Sequence, residues 1–88
     1  MDFSLKEKWV LITGASSGFG AAAAMAFGAR GARLLLGARR IDRLEQTARE
    51  AQKAGATEVH FHSLDVGTTD SVEAFMDWAK ERISGQVL

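Results

Sequence analysis

Residues 13 to 20 read Thr-Gly-Ala-Ser-Ser-Gly-Phe-Gly, which sets Gly14, Gly18 and Gly20 around two hydroxyl side chains, Ser16 and Ser17. Glycine lets a backbone approach a bound anion closely and take up positive φ. A helix starting near Gly18 would aim unpaired N–H groups and the positive end of its dipole at the same point. The chemistry on offer is phosphate binding. The hydroxyls of Ser16 and Ser17 suit either that phosphate or the cap of the helix, and both uses are open. The spacing Gly14-x-x-x-Gly18-x-Gly20 differs from the general G-x-G-x-x-G fingerprint, and the loop is not followed by the lysine that a P-loop needs.

Two further segments carry matching groups. Ala38 is followed by Arg39 and Arg40 at the end of an apolar run. Where a nucleotide-binding fold meets the adenosine ribose, an acidic residue would accept hydrogen bonds from both hydroxyls of NAD, whereas the planar donor fork of arginine suits the 2′-phosphate of NADP. Arg39 is the stronger candidate, since only one side chain need face the ligand; the alternative is that both arginines form a solvated turn. In Leu64-Asp65-Val66, Asp65 could accept a hydrogen bond from an adenine amino group and Val66 could supply an apolar or backbone contact. The alternative is an aspartate that satisfies the N–H groups of its own turn. His60 and His62 share strand parity with Glu58, but no further ligand accompanies them, and no metal site is expected. Trp9 and Trp78 read as packing residues.

These groups need elements that bring them to one edge. Trp9 to Thr13 is a short apolar run, as expected of a parallel strand covered on both faces. The alanine-rich stretch from Gly18 to about Arg30 reads as a helix, with Gly31 as a left-handed cap and Ala21 to Ala24 packed closely on the sheet. Arg33 to Ala38 is a second strand. Ile41, Leu44, Ala48 and Ala51 then recur at helical spacing in a helix ended by Gly55. Val59 to Leu64 suits an edge strand. Thr68 or Thr69 can cap a last helix with the stripe Val72, Phe75, Met76, Ala79 and Ile83, and Gln86-Val87-Leu88 looks like the opening of a fourth strand. Strands alternating with helices imply right-handed crossovers and an α/β class. The expectation is a partial, doubly wound Rossmann fold with parallel strands in order 3-2-1 and three helices, stopping at the start of strand 4. All three candidate segments then follow strands at the carboxyl edge, where such folds bind ligands.

With 88 residues, 47% hydrophobic and 25% charged, the chain reads as one globular unit, residues 1–88, forming the N-terminal half of a dinucleotide-binding domain. Eleven basic residues balance eleven acidic ones, so neither nucleic acid nor an anionic membrane is an expected partner. The absence of cysteine rules out a disulfide, a thiolate nucleophile and a cysteine zinc site. Met1 to Lys8 lacks the basic-then-apolar order of a signal peptide, and no apolar run approaches the ~20 residues of a membrane helix, so a cytoplasmic location is expected.

The segments TGASSGFG at 13–20, ARR at 38–40 and LDV at 64–66, in this order and spanning essentially the whole chain, resemble the N-terminal part of the classical short-chain dehydrogenase/reductase family. The resemblance implies an NADP-dependent oxidoreductase that moves hydride between its cofactor and a small hydroxyl or carbonyl compound. It implies that Gly14, Ser16, Ser17, Gly18, Phe19 and Gly20 line the pyrophosphate and nicotinamide-ribose path. Arg39 would select NADP over NAD, and Asp65 and Val66 would contact adenine. One departure is Ser17, where many NADP-preferring members carry a basic residue. Phe19 together with Gly-Ala-Arg-Arg-x-Asp-Arg-Leu at 37–44 resembles the branch acting on serine, allo-threonine and other 3-hydroxy acids.

The family's chemistry also uses a tyrosine acid/base with a nearby lysine, a serine, and an asparagine in an Asn-Asn-Ala-Gly segment. The chain has no tyrosine and no asparagine, so no residue here is assigned a catalytic role. The expectation is a cofactor-binding fragment whose small-molecule substrate is engaged only in a complete enzyme. The alternatives are a non-catalytic nucleotide-binding module and one chain of a split protein. Val10, Leu11 and Ile12 would border an open strand edge, so pairing with another chain, as a homo-oligomer or an aggregate, is expected.

Overall fold

The computed structural model describes residues 6–83. Within them the chain alternates β1 (Trp9–Thr13), α1 (Gly18–Gly28), β2 (Arg33–Ala38), α2 (Ile41–Ala54), β3 (Glu58–Ser63) and α3 (Thr69–Arg82). The three strands form a parallel sheet with β2 in the middle, which is the expected spatial order. Leu11 pairs with Leu35 and Leu35 with His60 along the register. The expected fourth strand at 86–88 lies outside the described residues.

Strand alternation divides the apolar residues between two faces. On one face Ile12, Leu34 and Leu36 meet Ala24, Leu44, Ala48 and Ala51, so α1 and α2 cover this side. Ala24 is fully buried while Ala22 is exposed, so the alanine run packs on the sheet through one edge only. On the other face α3 packs on β3 and drives Phe75 beneath β2. A Cβ built on Gly37 would lie 2.6 and 2.7 Å from Phe75 ring carbons and 3.0 Å from Leu64 Cδ2. Gly37 therefore makes the space that Phe75 fills.

Several expectations change here. α1 ends at Gly28, earlier than about Arg30, and Gly31 follows the helix with φ +82°. β3 begins one residue early, at Glu58. Leu11 is 43% exposed, because α3 lies over β3 and not over β1, so β1 is well covered on one face only. Ile41 and Met76, both placed in apolar stripes, are 44% and 43% exposed. Thr47 takes the buried position in the second turn of α2 instead. α3 is capped by Thr68, whose hydroxyl accepts from the Ser71 N–H at 3.3 Å.

Both tryptophans sit in side-chain stacks. His60 pairs with Glu58 and stacks on Trp9 at 6.2 Å, with the Arg33 guanidinium 5.6 Å from the Trp9 ring. His62 rests 5.2 Å from Trp78, which in turn packs 5.3 Å from Phe75. Among the described residues no group of three or more potential ligands could hold a metal ion, and no helix is long and apolar enough to cross a membrane.

Candidate functional site

Because the strands are parallel, Thr13, Ala38 and Ser63 all end at the same edge of the sheet. Backbone hydrogen bonds carry the ladder past those ends. The Ala15 N–H donates to Gly37 O at 3.1 Å and the Leu64 N–H to Ala38 O at 2.8 Å. The three loops are thereby held side by side.

The first loop is shaped by its glycines and by Ser17. Gly14 has φ +65°, a conformation that a side chain would strain. A Cβ on Gly20 would come within 2.8 Å of the Gly14 carbonyl carbon and 2.9 Å of Ala15 Cα, so only glycine lets α1 start this close to the loop. Gly18 is different: a Cβ there would meet nothing within 4 Å. The chain's own packing leaves that space open. Ser17 is the N-cap, accepting from the Gly20 N–H at 3.3 Å while its hydroxyl donates to Gly14 O at 2.8 Å. Among the described residues the N–H groups of Ser16, Gly18 and Phe19 have no partner, as expected for a helix start that can receive an anion.

In front of the sheet edge lies a cleft of about 340 Å³ lined by Gly14, Ser16, Ala38, Arg39, Arg40, Leu64 and Val66. A second cleft of about 250 Å³ is lined by Arg39, Ser63, Leu64, Asp65 and Ser71. Arg39 and Leu64 belong to both. The structure thus brings Gly14, Ser16, Arg39, Arg40 and Val66 to one cavity and Asp65 to its neighbour. Ser17, Gly18, Phe19 and Gly20 lie outside both walls, at the start of α1, where Phe19 is 90% exposed.

The two arginines are not equivalent. Arg40 is the N-cap residue of α2, and its guanidinium donates to Asp42 at 3.4 Å. Asp42 is held below the ordinary aspartate range. Desolvation works against this shift, and the Arg40 hydrogen bond, the Arg43 backbone N–H and the charge of Arg40 outweigh it. A depressed carboxylate contributes above its unfolded pKa, about 4, and its contribution is lost as pH falls through the lower folded value. The pair therefore holds at neutral pH, although both groups are too exposed for it to stabilise the fold much. Arg39 makes no hydrogen bond or ion pair among the described residues.

Asp65 serves its own turn, where its Oδ1 accepts from the Gly67 N–H at 2.9 Å. Its backbone N–H donates to the Ser71 hydroxyl at 2.8 Å. A carboxylate has about four acceptor sites, so this turn does not exhaust it. Ser71 and Leu64 were not singled out as lining residues from sequence, and neither was Thr47, whose Oγ1 donates to Ala15 O at 3.2 Å behind the loop. A hydroxyl at an apolar-stripe position was the only available signal for Thr47.

The family model for short chain dehydrogenase matches residues 8–87. The hydroxysteroid 11-beta-dehydrogenase 1-like protein A of Xenopus laevis is 37% identical over 82 residues, covering 93% of this chain and 28% of that protein. An alcohol dehydrogenase of Thermococcus sibiricus, solved in complex with 5-hydroxy-NADP, superposes with a TM-score of 0.83 at 45% identity over 92% of this chain. The L-sorbose reductase of Gluconobacter frateurii, solved with NADPH and L-sorbose, gives 0.87 at 37% identity over 98% of this chain. The chain spans 34% and 33% of those two solved chains.

Proposed function

This chain belongs to the short chain dehydrogenase family, and from that premise we propose that residues 1–88 are the cofactor-binding half of an oxidoreductase that takes NADP in preference to NAD. The observation that carries the reading is Arg39, an exposed guanidinium on the wall common to both clefts, with no partner of its own among the described residues. A phosphate is the partner its planar fork fits best. Gly14, Ser16, Ser17, Gly18, Phe19 and Gly20 would hold the pyrophosphate and nicotinamide ribose, and the open space at Gly18 leaves room for it. Arg39 would take the 2′-phosphate with Arg40 behind it, and Asp65 and Val66 would meet the adenine. The nicotinamide, when bound, supplies or accepts the hydride. The NADP and NADPH complexes of the two solved relatives support the cofactor class, and the sugar held by one of them supports a small hydroxyl or carbonyl substrate.

Fluorescence titration with NADPH tests this reading. A Cβ at Gly18 meets no neighbouring residue within 4 Å, so a valine there would project into the space proposed for the pyrophosphate without a clash at its Cβ. G18V should therefore lose more than about tenfold in affinity while the protein stays folded. Unchanged binding by G18V would refute the placement.

Within these 88 residues there is neither tyrosine nor asparagine, so no residue here matches the acid/base of the family's reaction. Hydride transfer to or from a carbon bearing oxygen needs a positioned proton donor or acceptor at that oxygen. A polypeptide of these 88 residues is expected to bind the dinucleotide and not to turn it over. Following nicotinamide absorbance with a panel of hydroxy acids and carbonyl compounds checks this. Turnover that G18V abolishes would show that the chain carries its own catalytic group. Complete absence of turnover alongside tight binding also fits a nucleotide-binding module or one chain of a split enzyme. Among the described residues β1 pairs only with β2, which leaves its other edge open to a further strand from this protein or from a second copy.

A further inference from the structure

Thr47 is the only buried polar or charged residue among the described residues, at 5% exposure, in the middle of an otherwise apolar face of α2. Its Oγ1 donates to Ala15 O at 3.2 Å, across 32 residues of sequence. Ala15 is fully buried, and its own N–H donates to Gly37 O at 3.1 Å. Ala15 is therefore gripped from both sides, by β2 through its N–H and by α2 through its carbonyl. The consequence falls on the next residue. The Ala15 carbonyl and the Ser16 N–H belong to one planar trans peptide, so they point in opposite directions. With the carbonyl pulled inward by Thr47, the Ser16 N–H is turned outward, on the residue that lines the larger cleft, and it has no partner among the described residues.

We propose that Thr47 is a positioning residue for the anion site: its hydroxyl sets the Ala15–Ser16 peptide so that the Ser16 N–H faces the bound pyrophosphate. The proposal rests on the dinucleotide reading above. It also ties two parts of the site together, because the helix that begins beside Arg39 and Arg40 reaches back from its second turn to hold the glycine loop. A valine at 47 keeps the shape but leaves the Ala15 carbonyl buried without its donor, and the peptide is then free to turn.

The test compares Thr47→Val, Thr47→Ala and Thr47→Ser by NADPH and NADH titration and by the amide resonance of Ser16 in the protein without cofactor. The loss of a buried hydrogen bond behind the loop should weaken both dinucleotides by the same factor, roughly five- to thirtyfold, because the pyrophosphate is common to them. T47S should restore wild-type binding. The Ser16 resonance should move in T47V and T47A and return in T47S. Wild-type affinity in folded T47V or T47A, a loss confined to NADPH, or a T47S variant as weak as T47V would each overturn the proposal. Running T47A beside T47V leaves one variant to decide if the other does not fold. A wild-type protein that binds neither dinucleotide would defeat the dinucleotide reading, and with it the proposed role. In that case the Ser16 resonance would still report whether Thr47 sets the peptide.

Discussion

Arg39→Ala should weaken NADP binding by about ten- to a hundredfold and leave NAD within about twofold of its wild-type affinity, because the contact proposed for Arg39 is charge-assisted and specific to the 2′-phosphate. The expected loss is about 1.5–3 kcal/mol, the usual worth of a hydrogen bond to a charged group. No internal partner has to be broken for Arg39 to engage a ligand, since it makes no ion pair among the described residues. The geometry of Arg40 argues for a smaller share, because its guanidinium already faces Asp42. Arg39 is exposed, so the preference for NADP should shrink as salt rises. Calorimetry on wild type and variant with both dinucleotides decides the point. Equal weakening of NAD and NADP would mean that Arg39 supports the loop or touches a group common to both.

The chain declares the geometry of its glycine loop more openly than its packing. β1 and β2 could be bounded from sequence because each is a short apolar run closed by loop residues, and both faces of β2 are in fact covered, with Leu34, Leu35 and Leu36 almost fully buried. The glycine loop was legible because positive φ and a helix start leave a chemical signature, and Gly14 and Ser17 take the conformations that signature implies. What could not be read is the reach of one element over another. Leu11 is as apolar as Leu35, yet it is exposed where α3 crosses over β3 and not over β1. Ile41 and Met76 fit their helical stripes by spacing, yet each is exposed. The packing roles of Thr47 and Gly37 are illegible for the opposite reason. Their importance lies in contacts across 32 residues to Ala15 and across the sheet to Phe75, and no local pattern encodes either.

The Gly37–Phe75 contact carries the largest expected effect on stability. Phe75 is 1% exposed and is the largest of the fully buried side chains among the described residues, so Phe75→Ala should cost about 3–5 kcal/mol. For a domain of this size, with a total stability on the order of 4–13 kcal/mol, that is enough to unfold much of the population. Gly37→Ala should cost about 1–3 kcal/mol by the reverse mechanism, forcing a methyl to within 2.6 Å of where the ring now lies. The two errors partly cancel when combined, because the cavity left by F75A is the space that the new methyl needs. The double variant should therefore be more stable than the sum of the single losses implies, with a coupling of about 0.5–3 kcal/mol. Urea denaturation of the four proteins measures it, through midpoints that fall while the slope stays constant. Strict additivity would mean that α3 shifts to absorb the methyl, and that Gly37 is not what seats Phe75. The same residue bears on the site as well, since the Gly37 carbonyl receives the Ala15 N–H. A strand displaced by G37A would carry the glycine loop with it, so dinucleotide affinity should fall in G37A and recover in part in the double variant.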